Sequence, residues 1–410
     1  MDSTARPAAA ASAPAAEHPL RNPNYRLWLA GGTISFLGDQ FYLVALPWLV
    51  LQQTGSAVAM GAIMMAGAIP RAVLMLMGGA VSDRMSARKI MMTTAAARTI
   101  AVTAIGLLVW FRVLQSWELY VLSFAFGVAD AFAAPAQSAY MPSLVRREQL
   151  VAASSVSQST AQLTTIVGPV PAGFVIQALG VAWAFFVDAV SFLFIIGALW
   201  KLPDPPKTQS GRKAMWASIA EGISCVAKDV PLRSLMLLAT VMNFCLAGPV
   251  VIGLAYFTRT MLGSPAAYGT LISSLAAGSL IGAVLAGLWK VRRRGVLILA
   301  GALVLGLCLS SVALAERIWS VAGILLAMGV AAGMLNVHIG AWAMQRIDVA
   351  VRGRVSSVLM LAAFGVAPIS LGVAGLLVAW NLKLTFLFAG ALMVIAAGAA
   401  ALQKPVRQIR

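Results

Sequence analysis

Apolar runs of roughly 20 residues recur from residue 26 to residue 402, each long enough to cross a hydrocarbon layer as a helix. This recurrence constrains the fold more than any other feature. A chain in lipid must satisfy its own backbone hydrogen bonds, and a spanning helix does so within each run. With 60% hydrophobic and 10% charged residues, the chain carries more apolar surface than a soluble core absorbs. The runs fall near 26–51, 58–82, 90–112, 118–139, 151–178, 181–200, 234–258, 267–289, 295–315, 319–344, 355–380 and 384–402. Twelve is even, so both ends lie on one face. The expected fold is all-α and integral to the membrane, with twelve transmembrane helices in two six-helix, pseudo-symmetric bundles.

Charge then orients the chain. The formal net charge is +17, and of the 30 Lys and Arg all but six lie in loops and tails on one side. Arg112, Arg259, Arg317 and Lys383 lie on the other side, and Arg71 and Arg98 lie inside spans. Basic residues concentrate on the cytoplasmic face of membrane proteins, so both termini are expected there. No basic run carries interleaved aromatics, and nucleic acid is not an expected partner.

The chain divides into a cytoplasmic tail 1–20, a first bundle 21–200, a linker 201–233, a second bundle 234–403 and a tail 404–410. The first tail, MDSTARPAAAASAPAAEHPL, lacks the basic start and apolar core of a signal peptide and reads as disordered. The linker opens with LPDPPK, which stops a helix. It continues with Trp216, Ile219, Ile223 and Val226 at the spacing of an amphipathic helix lying along the membrane face. A faint repeat joins the halves: SSV at 154–156 recurs at 356–358, and AG at 172–173 recurs at 374–375. A duplicated transporter binds its substrate near the midplane between halves. Cys225, Cys245 and Cys308 have no pairing or metal spacing, and two histidines cannot form a metal cluster. No metal and no cofactor is expected.

Ionisable groups inside spans are costly and mark function. Asp39 and Arg71 lie at similar depth in adjacent antiparallel spans and are expected to pair. Asp130 is central in the fourth span, and Asp188 lies in the outer half of the sixth. Arg98 lies nearer the cytoplasm, where it can snorkel. Ser35, Asp39 and Tyr42 share one helical stripe, as do Gln158, Gln162 and Thr165, and such stripes face a water-lined cavity. Asn243 is a further cavity candidate. Asn336 and His338 form either a polar patch in the tenth span or a hydrogen bond between helices. For Asp39 two readings stand side by side: a permanent pair with Arg71 that holds two helices together, or a carboxylate that binds and releases protons as the cavity alternates. Asp39, Asp130, Asp188 and Arg71 are therefore the proton-coupling candidates.

Residues 78–89 read GGAVSDRMSARK, a tight turn with a carboxylate beside several cations that can meet acidic lipid headgroups. Asp83 can accept hydrogen bonds from a helix N-terminus or from an arginine across the contact between halves. This stretch resembles the signature loop of the major facilitator superfamily, Gly-x-x-x-Asp-Arg followed by paired basic residues. The match falls on Gly79, Asp83, Arg84, Arg88 and Lys89, with Ala87 where many relatives carry a further arginine. The resemblance implies that this loop latches one conformation. NPNYRLWLAGGTISFLGDQFYLVALPWLV, AFAAPAQSAYMPSLVRREQLVAASSVSQ, AWAFFVDAVSFL and RGRVSSVL resemble the branch of macrolide-efflux proteins and siderophore exporters. GPVPAG at 168–173 partly matches the Gly-Pro-x-x-Gly-Gly motif of drug/proton antiporters. Gly168, Pro169 and Gly173 are read equally as a bend or as packing glycines. Ser123 stands where that group carries an arginine.

The implied protein is a monomeric exporter of the bacterial cytoplasmic membrane, not an enzyme. Its expected partners are a small amphipathic substrate, protons and membrane lipids. The alternatives are a lipid or lysolipid flippase, an uncoupled or uptake facilitator and, more remotely, a transport-dead receptor or scaffold.

Overall fold

A computed structural model describes residues 18–82, 85–204, 223–289, 291, 293–347, 358 and 365–409. The first bundle holds α1 (Pro23–Thr54), α2 (Ala57–Ser82), α3 (Ala87–Trp110), α4 (Ser116–Tyr140), α5 (Leu150–Val167), α6 (Pro169–Leu179) and α7 (Val181–Lys201). The second holds α8 (Val230–Gly248), α9 (Pro265–Leu288), α10 (Arg294–Val312), α11 (Ile318–Arg346), α12 (Ala367–Trp380) and α13 (Leu382–Leu402). α8 continues to Leu262 through two π-helical stretches, Pro249–Gly253 and Thr258–Leu262. Among the described residues eleven segments are long and apolar enough to span, and α12 is a shorter apolar helix. Its expected beginning, from residue 355, lies largely outside the described residues. So does most of the linker, although residues 223–228 are helical and Val226 is buried.

Helix ends are set by local chemistry. Pro23 enters α1 at its first turn, where the missing N–H costs nothing, and the Asn22 side chain caps the free amides of Asn24 and Tyr25. Gly55 ends α1 in the left-handed conformation that glycine adopts without strain. Exposed tryptophans mark both ends of the bundle: Trp110, Trp117, Trp319 and Trp380 at the Thr54 end, and Trp200 and Trp289 at the Pro23 end. Aromatic belts of this kind sit at membrane interfaces. Trp183 and Trp200 on α7 are separated by about 26 Å at 1.5 Å per residue, close to a hydrocarbon thickness.

The two bundles repeat one set of neighbours. In the first, α1 packs along α7, α2 along α4, and α3 along both α4 and α7. In the second, α8 packs along α13, α9 along α11, and α10 along both α11 and α13. Exchanging the halves carries one pattern onto the other. Across the divide, α2 meets α12 and α6 meets α9, and these two contacts also exchange. This is the pseudo-two-fold layout expected from the repeat.

Close approaches between the halves sit at the Thr54 end. A side chain on Gly61 would stand 2.8 Å from the Leu371 carbonyl, and one on Gly269 only 2.1 Å from the Pro169 carbonyl. Bare glycine lets the backbones touch there. Ser264 Oγ donates to Gln177 Oε1 at 2.9 Å, and the Arg259 guanidinium lies 5.2 Å from the Trp48 ring centre. α5 and α6 break at Gly168–Pro169, and a side chain on Gly173 would strike the Pro265 carbonyl at 2.5 Å. The same short motif therefore both interrupts the helix and packs it against the other half.

Gly269→Leu should overpack this contact and cost about 1–3 kcal/mol of stability, while Gly287→Leu on the same helix, with open space around it, should cost little. Thermal unfolding of the two purified variants checks the difference; equal midpoints would mean that the halves do not close there.

Candidate functional site

A cavity of about 480 Å³ lies between the halves. α1 supplies Ser35, Asp39 and Tyr42, α2 supplies Met64 and Arg71, and α4 supplies Ser123 and Asp130. α3 contributes Met91, Thr94, Ala95 and Arg98, one helical stripe. From the second half, Ala247, Val251, Ala367 and Leu371 complete the wall, all of them apolar.

The charges form one connected cluster. Arg71 Nε lies 3.1 Å from Asp130 Oδ2. Arg98 Nη1 lies 3.3 Å from Asp130 Oδ1 and 3.5 Å from Asp39 Oδ1, bridging the two carboxylates. The expected pairing of Asp39 with Arg71 is thus corrected: the salt bridges join Arg71 to Asp130 and Asp39 to Arg98. The expectation that Arg98 snorkels is also corrected. Its side chain is 10% exposed, and its guanidinium lies 4.4 Å from the Phe192 ring centre and 5.9 Å from that of Phe126. Two aromatic faces and two carboxylates hold it inside the protein. Thr94 and Met91, one and two turns before it and also on the cavity, carried the signal that Arg98 faces inward.

Tyr42 stacks on Phe126 with ring centres 4.1 Å apart and fixes the wall beside the cluster. Asp188 is fully buried and lies behind the cavity wall. Gln158 lines a second cleft of about 210 Å³ among α1, α4 and α5, which shares Gly32, Phe36 and Gln137 with the central cavity.

Other sequence candidates fall outside both cavities. Gln162 lines neither. Asn243 Nδ2 donates to the Ala239 carbonyl of its own helix, Asn336 is exposed, and His338 Nδ1 lies 2.9 Å from the Met334 carbonyl one turn away. Local backbone acceptors satisfy Asn243 and His338, so His338 makes no interhelical bond among the described residues.

Gly79 lies in the last turns of α2, and Asp83 and Arg84 in the loop after it lie outside the described residues. Ser86 caps α3, accepting from the Lys89 amide at 3.4 Å, and donates to Asp204 Oδ1 at 2.6 Å. Arg88 Nε donates to the Leu199 carbonyl at 2.6 Å and its Nη2 to that of Trp200 at 3.0 Å. A cation at a helix C-terminus satisfies free carbonyls and the helix dipole together.

Among the described residues no group of histidine, cysteine, aspartate and glutamate is arranged to hold a metal. The arrangement is a chamber with largely apolar walls and one ionic face.

Residues 28–367 match the sequence profile of the Major Facilitator Superfamily. The chain is 28% identical to the multidrug efflux pump Tap of Mycobacterium bovis, over 90% of each protein. It is 26% identical to macrolide efflux protein A of Streptococcus pyogenes, over 70% of this chain and 71% of that one. The fold is similar to that of the nucleoside transporter NupG, with a TM-score of 0.76 over 93% of this chain and 98% of that one at 11% identity. The helical bundle, the chamber between its halves and the profile that runs through both agree: the chain belongs to the Major Facilitator Superfamily and is a multi-pass membrane transporter, not an enzyme.

Proposed function

We propose that this transporter exports an amphipathic small molecule across the bacterial cytoplasmic membrane by alternating access, in exchange for protons. The carrying observation is the ionic cluster on one wall of a largely apolar chamber between the halves. Met64, Leu371 and Val251 suit the apolar body of a substrate, and Asp39 and Asp130 suit a positive group or a proton. Similarity to a macrolide efflux protein and a multidrug efflux pump supports export. The basic face supports cytoplasmic termini, so the closed Thr54 end faces outward and the cavity is offered to the cytoplasm.

Arg98 gives the coupling its logic. While it bridges Asp39 and Asp130, both carboxylates are answered and the chamber does not attract a cation strongly. A cationic substrate must displace it, and its displacement biases the packing of α3 against α1, α4 and α7. Loop residues Gly79, Asp83, Arg84, Arg88 and Lys89 act on that conformational balance and not on the chamber.

Everted vesicles with an acid interior, offered a panel of lipophilic cations, siderophores and lysolipids, test the proposal. A lipophilic cation should accumulate and leak out when the pH gradient is collapsed. Movement of lysolipids alone would instead identify a flippase. Asp39→Asn should abolish gradient-driven accumulation yet keep substrate-for-substrate exchange; full accumulation by this variant would remove Asp39 from the mechanism. Arg98→Gln leaves Asp39 without this counter-ion and Asp130 with Arg71 alone, and should cost about 3–5 kcal/mol, read as lower yield and thermal midpoint. For orientation, single cysteines at Gln53, Ser116 and Glu316 in a cysteine-free background should react with an impermeant thiol reagent in intact cells, and those at Ser86 and Asp229 should not. The reverse pattern would invert the transporter and the direction of export with it.

A further inference from the structure

Asp188 is an anomaly beside the chamber. It has no exposed surface, and its Oδ2 is buried with no hydrogen-bond partner among the described residues. Ser191 Oγ lies 3.5 Å from Oδ1, but that hydroxyl makes its good bond, at 2.7 Å, to the Asp188 backbone carbonyl. Gly38 closes the other side: a side chain there would stand 2.8 Å from Oδ1. An ionised carboxylate so enclosed and so poorly answered is costly.

A matching donor is equally unsatisfied. Arg98 Nε is buried and has no acceptor among the described residues. Its guanidinium lies over Phe192, one turn along α7 from Asp188, while its Nη1 serves Asp39 and Asp130. The charged and titratable groups that bear on Asp188 are Asp39 and Tyr42 on α1 and Arg98 on α3, and Arg98 links them to Asp130 on α4 and, through it, to Arg71 on α2. Within this cluster three carboxylates face two guanidiniums.

The geometry points to Asp188 as the alternate seat of Arg98 and the residue that holds the exchanged proton. The inference rests on the proton-coupled export proposed above and places the proton behind the cavity wall. In the arrangement described, Arg98 answers Asp39 and Asp130, and Asp188 is a neutral acid that needs no counter-ion. When a cationic group of the substrate enters, it takes the place of Arg98 at the two cavity carboxylates. Arg98 swings to Asp188, the Asp188 O–H bond breaks, and the proton passes to cavity water. One cation has entered and one proton has left, so the cluster has the same charge in both states. Asp188 touches no substrate; it acts through Arg98 as a positioning residue.

The test uses the purified full-length transporter and tetraphenylphosphonium as the cationic probe. Exchange of one proton for one cation makes wild-type affinity rise about tenfold per pH unit while Asp188 is protonated in the free protein. Asp188→Asn should bind the probe with an affinity independent of pH, whereas a retained wild-type slope would overturn the proposal. Infrared spectra give a second reading. The carbonyl stretch of a protonated carboxylic acid should be present in wild type and Asp39→Asn and absent in Asp188→Asn; its persistence in Asp188→Asn would also overturn the proposal. Should Asp188→Asn fail to accumulate, Asp188→Glu serves: the band moves if residue 188 is the acid, and an unmoved band places the proton elsewhere. A wild-type protein that binds no probe would count against the proposed cationic substrate, while the infrared band would still decide the state of Asp188.

Discussion

Arg98 is the interaction on which the site depends. Ionised side chains within a membrane are tolerated where opposite charges answer them. One guanidinium on α3 answers a carboxylate from α1 and another from α4, and Arg71 from α2 answers the second oxygen of the latter. Four helices are thereby tied at one depth. The ring of Phe192 brings α7 into the same knot without adding charge. Any motion that separates these helices must first provide a new partner for Arg98, and that requirement converts a local change of charge into a change of packing.

The two bundles share their neighbour pattern but not their chemistry. α1, α2, α3 and α4 carry the cluster, whereas the described residues that the second half gives to the chamber are apolar. In the proposed cycle the first half recognises charge, and the second supplies a wall that opens and closes over it. Duplication explains the scaffold, since each repeat must bury the same helix faces. It does not require both copies to keep an ionic face once one suffices.

The fold was legible because membrane spanning imposes a strong, local and nearly one-dimensional rule. Run length placed the helices close to where they stand, and the aromatic belts at Trp110, Trp117, Trp319, Trp380, Trp200 and Trp289 follow from the same rule. The membership of Asp39, Asp130 and Arg71 in the ionic cluster followed from the cost of charge in lipid. Their pairing did not, because depth along a helix says nothing of its rotation or of which neighbour it faces. Arg98 was set aside for its nearness to the basic end, yet α3 turns it inward. Asn243 and His338 read as cavity residues because polarity in a span is conspicuous; a carbonyl one turn away in the same helix answers each of them. That local alternative is open to nearly every short polar side chain in a helix, and composition cannot distinguish it.

The glycine contacts at Gly61 and Gly269 also have a mechanical consequence. Where backbone meets backbone, no long side chains interlock, and two smooth surfaces can tilt on one another with little repacking. The contacts lie close to one end of helices roughly 35 Å long, so each half is a lever with its fulcrum near the tip. A tilt of a few degrees at the fulcrum, small enough to keep the glycines in van der Waals contact, becomes a displacement of several ångströms at the opposite end. In the proposed alternating-access cycle such gearing would deliver a wide aperture from a sub-ångström adjustment, with the smallest residues in the bundle as its bearings.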